Sequence, residues 1–221
     1  SMKQITLTLC AATLLLFSCN DKKKTDEGKS ETTATETKTT GTKSTKEVMA
    51  MPDSATMAKN WQAYMTPGDV HKMMASWDGT WTGDISMWMQ PGAPEQKTVG
   101  TLVNKMILNG LYLQGTNTGN MMGMPFTGLS TTAYDIHRKE FVSTWIDNMG
   151  SGIMVLKGTW DEASKTITLK GKSTDPGTTA EMDVRETFRI IDDNTQEMEM
   201  FIMMPDGTEF KTMNIKYTRN K

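Results

Sequence analysis

Between positions 80 and 218 the chain alternates ten strand-length runs with short connections, and little room is left for any other element. The predicted strands are 80–89, 98–108, 111–118, 126–135, 140–147, 152–160, 166–172, 181–191, 195–204 and 210–218. β-branched and aromatic residues recur in the runs, while Gly, Asn, Asp and Pro punctuate the gaps, the split that strands and turns demand. Short connections make sequential neighbours antiparallel, and strands at this spacing form a sandwich or a barrel. A ten-strand meander left open exposes two edges of unpaired backbone, and closure removes both. The expectation is a mainly β domain: a closed antiparallel up-and-down barrel of about ten strands with one or two short N-terminal helices.

Connections in such a meander fall alternately at two ends. One end receives Asn109-Gly110, 136–139, 161–165 and 192–194, which are tight and polar. Asn-Gly between two apolar runs is a strong two-residue hairpin signal. The other end receives 90–97, 119–125, 148–151, 173–180 and 205–209, mostly longer and rich in Gly, Pro and Met. Ahead of the first strand, Pro52-Asp53-Ser54 reads as a helix start, with Met57, Trp61, Tyr64 and Met65 at helical spacing. A second helix is predicted with Thr66 as its N-cap and Pro67 in its first turn, presenting Val70, Met73 and Met74. These helices lead into the tight end and are placed to plug it. The long-loop end is then the mouth. His71, on the second helix, reads as a packing or surface residue rather than a ligand.

The first fifty residues are of a different kind. Ser1 ahead of Met2 reads as a residue left by cloning. Lys3 followed by the apolar run 5–17 has the layout of a signal peptide and is short for a membrane span. It ends in Leu16-Phe17-Ser18-Cys19, which resembles the bacterial lipobox, in which the cysteine takes the lipid. That reading predicts a signal peptide over 1–18 and a lipid anchor on Cys19, with more than one acyl chain for stable attachment. Residues 19–50 form the lipidated Cys and its tether. From Asn20 to Glu47 the chain is Thr, Lys, Glu, Ser, Asp and Gly without an aromatic, too poor in apolar groups to order itself. The helices then occupy 51–76 and the barrel 77–221. The expected location is the bacterial cell envelope, outside the cytoplasm, with the membrane as partner through Cys19. The only cysteines, Cys10 and Cys19, precede the domain, so no disulfide staples it.

Methionine is the unusual component, with 21 residues in the chain. The topology gathers most of the barrel's share near the long-loop end: Met87, Met89, Met121, Met122, Met124, Met149, Met154, Met182, Met203 and Met204. Three readings compete. Methionine fills irregular gaps in cores. Its flexible thioether chain also makes surfaces that repack around varied ligands. Thioethers suit Cu(I) as well, and Met121, Met122 and Met124 offer the donors, although no His or Cys stands near them. Trp145 and Asp147 share one face of the fifth strand close to the mouth, the aromatic-plus-polar furnishing of a binding pocket. Phe126, Asn148 and Met149 flank the same end. The candidate ligand-binding set is therefore Met87, Met89, Met121, Met122, Met124, Phe126, Trp145, Asp147, Asn148, Met149, Met154, Arg185 and Met204, for a small apolar or amphiphilic molecule.

Other chemistry is thin. With His71 and His137 as the only histidines, a histidine-ligated zinc or a Ser-His-Asp arrangement is not expected. No catalytic residue, resident metal or cofactor is assigned. A net charge of -2 with both signs interspersed gives no basic stripe for nucleic acid. The eighth strand poses one open question. Alternation puts Met182, Val184, Glu186 and Phe188 on one face and Asp183, Arg185 and Thr187 on the other. If the apolar set faces inward, Glu186 is an interior charge in need of a partner. In the opposite register Arg185 faces inward and can receive an acidic ligand. A filled barrel acting as a structural or interaction protein is the alternative to a binding module.

Several stretches resemble one family. They are Gly79-Thr80-Trp81-Thr82-Gly83, Met121-Met122-Gly123-Met124-Pro125-Phe126 and Phe141-Val142-Ser143-Thr144-Trp145-Ile146-Asp147-Asn148-Met149. Lys165-Thr166-Ile167-Thr168-Leu169, and Pro205-Asp206-Gly207 followed by Phe210-Lys211-Thr212-Met213, belong with them. Together they are similar to the bacterial domain-of-unknown-function family 1579, over about 77–221. The resemblance implies a secreted or lipid-anchored bacterial domain related in shape to lipocalin-like (calycin) barrels. It implies no activity and no site residues.

Overall fold

The structure, a computed structural model, describes residues 51–221. The predicted signal peptide, Cys19 and the tether lie outside the described residues. Two helices, α1 (Ser54–Met65) and α2 (Asp69–Ala75), precede ten strands. These are β1 (Gly79–Met87), β2 (Gln96–Ile107), β3 (Tyr112–Met121), β4 (Met124–Asp135), β5 (Glu140–Asp147), β6 (Met154–Asp161), β7 (Thr166–Thr174), β8 (Glu181–Asp192), β9 (Thr195–Met203) and β10 (Glu209–Arg219). Each strand pairs antiparallel with its sequence neighbours, and β1 pairs with β10 from Trp81↔Arg219 to Met87↔Met213. The sheet is a closed ten-stranded up-and-down barrel, as the strand pattern predicts. No described helix is long and apolar enough to cross a membrane.

The apolar half of each alternation faces inward. Trp81 opposes Leu102, Met106 opposes Leu113, Ile167 opposes Phe188, and Ile215 opposes Met198. A register shift between Lys211 and Met213 inserts one residue into β10. Phe210 and Met213 therefore both face inward at an odd spacing, because a bulge resets the alternation. Strands β6 and β7 approach where only glycine fits. A Cβ on Gly158 would lie 1.7 Å from the Thr168 carbonyl oxygen.

One end is sealed by α2 and the segment behind it. Met74 and Trp77 sink among Leu113, Phe141, Leu156, Ile167 and Leu169. Trp81 is fully buried, and its Nε1–H donates to the Trp77 carbonyl at 3.1 Å. Arg219 lies over the Trp81 ring, 4.1 Å from its centre, and donates to the carbonyls of Ser76, Asp78 and Asp193. One guanidinium thus ties together the chain entering β1, the β8–β9 turn and the last strand, through charge-assisted bonds and cation–π contact.

The structure corrects four local expectations. Gly68, not Thr66, is the N-cap of α2, and its N–H donates to His71 Nδ1 at 3.1 Å. Thr66 is drawn back onto α1, where its hydroxyl donates to the Gln62 carbonyl at 2.6 Å. His71 is a packing residue, buried and edge-on to Tyr134. The connection predicted over 119–125 is a tight hairpin in which Met122 and Gly123 turn at φ 50° and 80°. Asn109-Gly110 sits instead in a four-residue connection, 108–111, with Leu108, Asn109 and Gly110 all at positive φ. Finally, α1 buries none of its residues, and Trp61, Tyr64 and Met65 stay exposed. Tyr64 stacks on His137, with ring centres 5.0 Å apart.

Candidate functional site

The interior changes character along its length. Trp81, Phe141 and Gln196 near the sealed end, and Leu156 further along the lumen, are fully buried. In the middle and open half, inward-facing Asn117, Ser130, Ser143, Met182, Met200 and Met213 remain partly accessible. A side chain on the inner face of a closed barrel is reached only through the lumen. Their accessibility points to interior space, whereas Met74 and Trp77 pack against the inward side chains beneath α2.

The mouth is furnished on β4, β5 and β6. Trp145 Nε1–H donates to Asp147 Oδ2 at 2.7 Å, and Asp147 Oδ1 accepts the Met149 N–H at 2.8 Å. Both carboxylate oxygens are engaged, so Asp147 holds the indole and the following turn in place. Phe126 lies beside the indole, with ring centres 6.2 Å apart. A Cβ on Gly128 would stand 2.3 Å from the Trp145 ring. The glycine leaves the space that the indole fills. Met154 is the cross-strand partner of Trp145, Met121 that of Met124, and Met87 that of Met213.

The remaining candidates are placed differently. Met89 and Met122 are exposed in the connections. Met204 is half-buried in the β9–β10 connection, where its N–H donates to the Thr208 carbonyl. Asn148 is a stitch between two edges of the mouth. Its Oδ1 accepts the Thr127 N–H at 2.9 Å and its Nδ2 donates to the Pro125 carbonyl at 3.0 Å. Interior residues that the sequence reading did not select are Met200, Met213, Phe188 and Phe210. Simple alternation marks Phe188, whereas the bulge in β10 disguises the last strand.

The question on β8 is answered by register. Val184 opposes Gly171 and Phe188 opposes Ile167, so Glu186 faces the lumen, between Leu169 and Met200 on the neighbouring strands. Arg185 is removed from the candidate set as a lumen residue. It points outward, where its guanidinium makes a two-pronged pair with Glu209 at 2.7 and 2.5 Å and lies over Phe201. The physical reason is that Met182, Val184 and Phe188 bury more apolar surface than the other face offers, and Glu186 follows them in. Burial pushes the Glu186 carboxyl up to about 7. The same burial, with the nearby Glu186 charge, pushes the Tyr217 hydroxyl up.

Two hollows lie elsewhere. A cleft of about 430 Å³ at the sealed end is lined by Trp77, Gln196, Arg219 and the β8–β9 turn. Arg219 is already engaged there by three carbonyls and Trp81. A groove of about 260 Å³ on the outer wall is lined by Thr127, Leu129, Ile146, Asp147 and Asn148. Among the described residues no cluster of His, Cys, Asp and Glu is arranged to hold a metal ion.

The sequence matches the family described as "Protein of unknown function (DUF1579)" over residues 66–219, and the chain belongs to that family. Among solved structures it is similar to Rv2717c from M. tuberculosis, at TM-score 0.55 and 12% identity, covering 71% of this chain and 100% of that one. It is similar also to the S-type phycobiliprotein lyase CPES from Guillardia theta, at TM-score 0.51 and 11% identity, covering 72% of this chain and 97% of that one. At these identities the likeness is one of fold. A search of curated protein sequences returned no match.

Proposed function

We propose that this DUF1579 member is a binding module that takes one small apolar or amphiphilic molecule into the open half of its barrel. The observation that carries the reading is the contrast along the lumen. Inward Asn117, Ser130, Ser143, Met182, Met200 and Met213 keep accessible surface, while Trp81, Phe141, Leu156 and Gln196 keep almost none. Closed barrels of this size hold a small ligand when their interior is not filled by side chains. Entry is at the rim formed by Met87, Met121, Met124 and Met154, beside Trp145 and Phe126. Thioethers and aromatic faces there adapt to more than one ligand shape. The phycobiliprotein lyase named above shares the fold and lends support at that level only.

The same proposal places the domain at the cell envelope, anchored by lipid on Cys19. The sequence pattern of 1–19 supports this. Cys19→Ser should release the protein from the membrane fraction. Native mass spectrometry of protein purified from its own membrane is the direct test of binding. A reproducible added mass that organic solvent removes is the expected result. A bare polypeptide mass in every preparation, together with no uptake of apolar fluorophores, overturns the reading. Changing Met121, Met122 and Met124 together to Leu separates an apolar site from a thioether copper site. Ligand mass should survive the change, whereas bound copper would be lost.

A further inference from the structure

Beyond the sealed rim, the carboxyls that face the lumen have no inward-facing cation opposite them. On the inward register of all ten strands, among the described residues, there is no Lys, and the one Arg is Arg219 at the sealed rim. That guanidinium is held by the Ser76, Asp78 and Asp193 carbonyls. Two carboxyls face inward, Asp147 and Glu186. Asp147 is engaged by Trp145 and Met149. Glu186 is not engaged. No side chain or backbone N–H of the described residues donates to it, and the nearest inward residues on its own and neighbouring strands are Val184, Phe188, Leu169 and Met200. It keeps partial exposure to the lumen. The other titratable group facing it is Tyr217, which remains protonated at neutral pH.

A carboxyl in an apolar wall is costly unless something pairs with it. A neutral donor on a ligand is satisfied equally well by Gln, Asn or Ser, with no charge to bury. Only a cation makes use of the formal charge that Glu186 supplies. The rest of the wall is also suited to a cation with an apolar body. Aromatic faces attract ammonium groups, and thioether chains repack around hydrocarbon.

Resting on the reading of the lumen as a binding site, we infer that its ligands are lipophilic cations. The ammonium or other protonated nitrogen sits against Glu186, and the hydrocarbon extends toward the methionine rim. The same field rejects fatty acids and other amphiphiles with an anionic head. The cation pairs with the ionised carboxylate, and any Glu186 that is protonated beforehand gives its proton to solvent as the cation enters.

The test compares three probes of equal chain length on the full chain by titration calorimetry, below their aggregation concentrations: dodecylammonium, dodecanol and dodecanoate. Dodecanol should bind, dodecylammonium should bind about tenfold tighter or more, and dodecanoate should bind weakest. In Glu186→Gln, whose cooperative urea unfolding shows that the variant is folded, the preference for the ammonium over dodecanol should fall to about twofold or less. Dodecanoate binding as tightly as dodecylammonium, or a Gln variant that keeps the full preference, overturns the inference and leaves lumenal binding standing. Failure of all three probes to bind overturns both.

Discussion

Removing the Glu186 charge should stabilise the fold, and only outside the acid range. The ordinary glutamate value is 4.5, and burial pushes this carboxyl up to about 7. Well below pH 4.5 the group is protonated in the folded and the unfolded chain alike and costs nothing. As pH rises from there, the unfolded chain ionises while the folded chain holds its proton, so stability falls. Above about 7 the folded chain ionises too, and the loss is complete. At about 1.4 kcal/mol per pH unit, the interval from 4.5 to about 7 sets a ceiling of about 3.5 kcal/mol. Glu186 keeps partial exposure, and solvent screening leaves roughly half of that figure. Glu186→Gln keeps the shape and never ionises. Urea unfolding of both proteins at about pH 3.5, 6 and 8 should give matching stabilities at the lowest pH. At the highest, the Gln variant should be ahead by roughly 2 kcal/mol, or about 4–8 °C in Tm for a domain of this size. Tyr217 does not interfere, since burial and the Glu186 charge both hold it protonated through this range. A Gln variant less stable than the parent at pH 8, or a gap that does not change with pH, would refute the reasoning.

Arg219→Ala should cost about 3 kcal/mol in urea unfolding, because it removes a cation–π contact and donors to three carbonyls at once. Arg219→Lys should recover only part of the loss, since an ammonium cannot span the same acceptors. Gly158→Ala should cost about 3 kcal/mol or more, or prevent folding, through its clash with Thr168. Gly150→Ala, which meets open space, should be close to neutral by the same assay. Arg185→Ala should cost less than about 1 kcal/mol and leave the affinity of any lumenal ligand unchanged, because the Glu209 pair lies on the outer wall.

The barrel was legible because alternation survives in every strand, and all ten predicted runs appear within a few residues of their positions. What the sequence hid was local backbone geometry. Met122 takes positive φ in a two-residue turn, a conformation that favours Gly or Asn, so Met121–Met124 read as a loop. The register shift before Met213 breaks the alternation of β10. No single-strand pattern announces such a bulge, and two lumen residues were missed with it. On β8 the pattern divided the faces correctly but did not say which one turned inward. The three-dimensional pairing with Ile167 and Gly171 decided it for Glu186 and against Arg185. The apolar spacing of α1 was real, yet α1 buries nothing. Periodicity shows that a helix has an apolar side and not that the domain covers it.

The pairing of β1 with β10 sets a timetable for folding. The residues joined first and last in the chain, Trp81 and Arg219, are neighbours across the seam. A ribosome releases β1 long before β10, so the seam cannot form until residues 213–219 have emerged. During that interval β1 presents an unpaired edge, which invites association with other chains. Contacts this distant in sequence also slow the folding step itself. Loss of residues 213–219 would thus remove every partner that β10 offers β1. Proteolytic clipping between β9 and β10 should therefore lower solubility far more than a cut after Thr218.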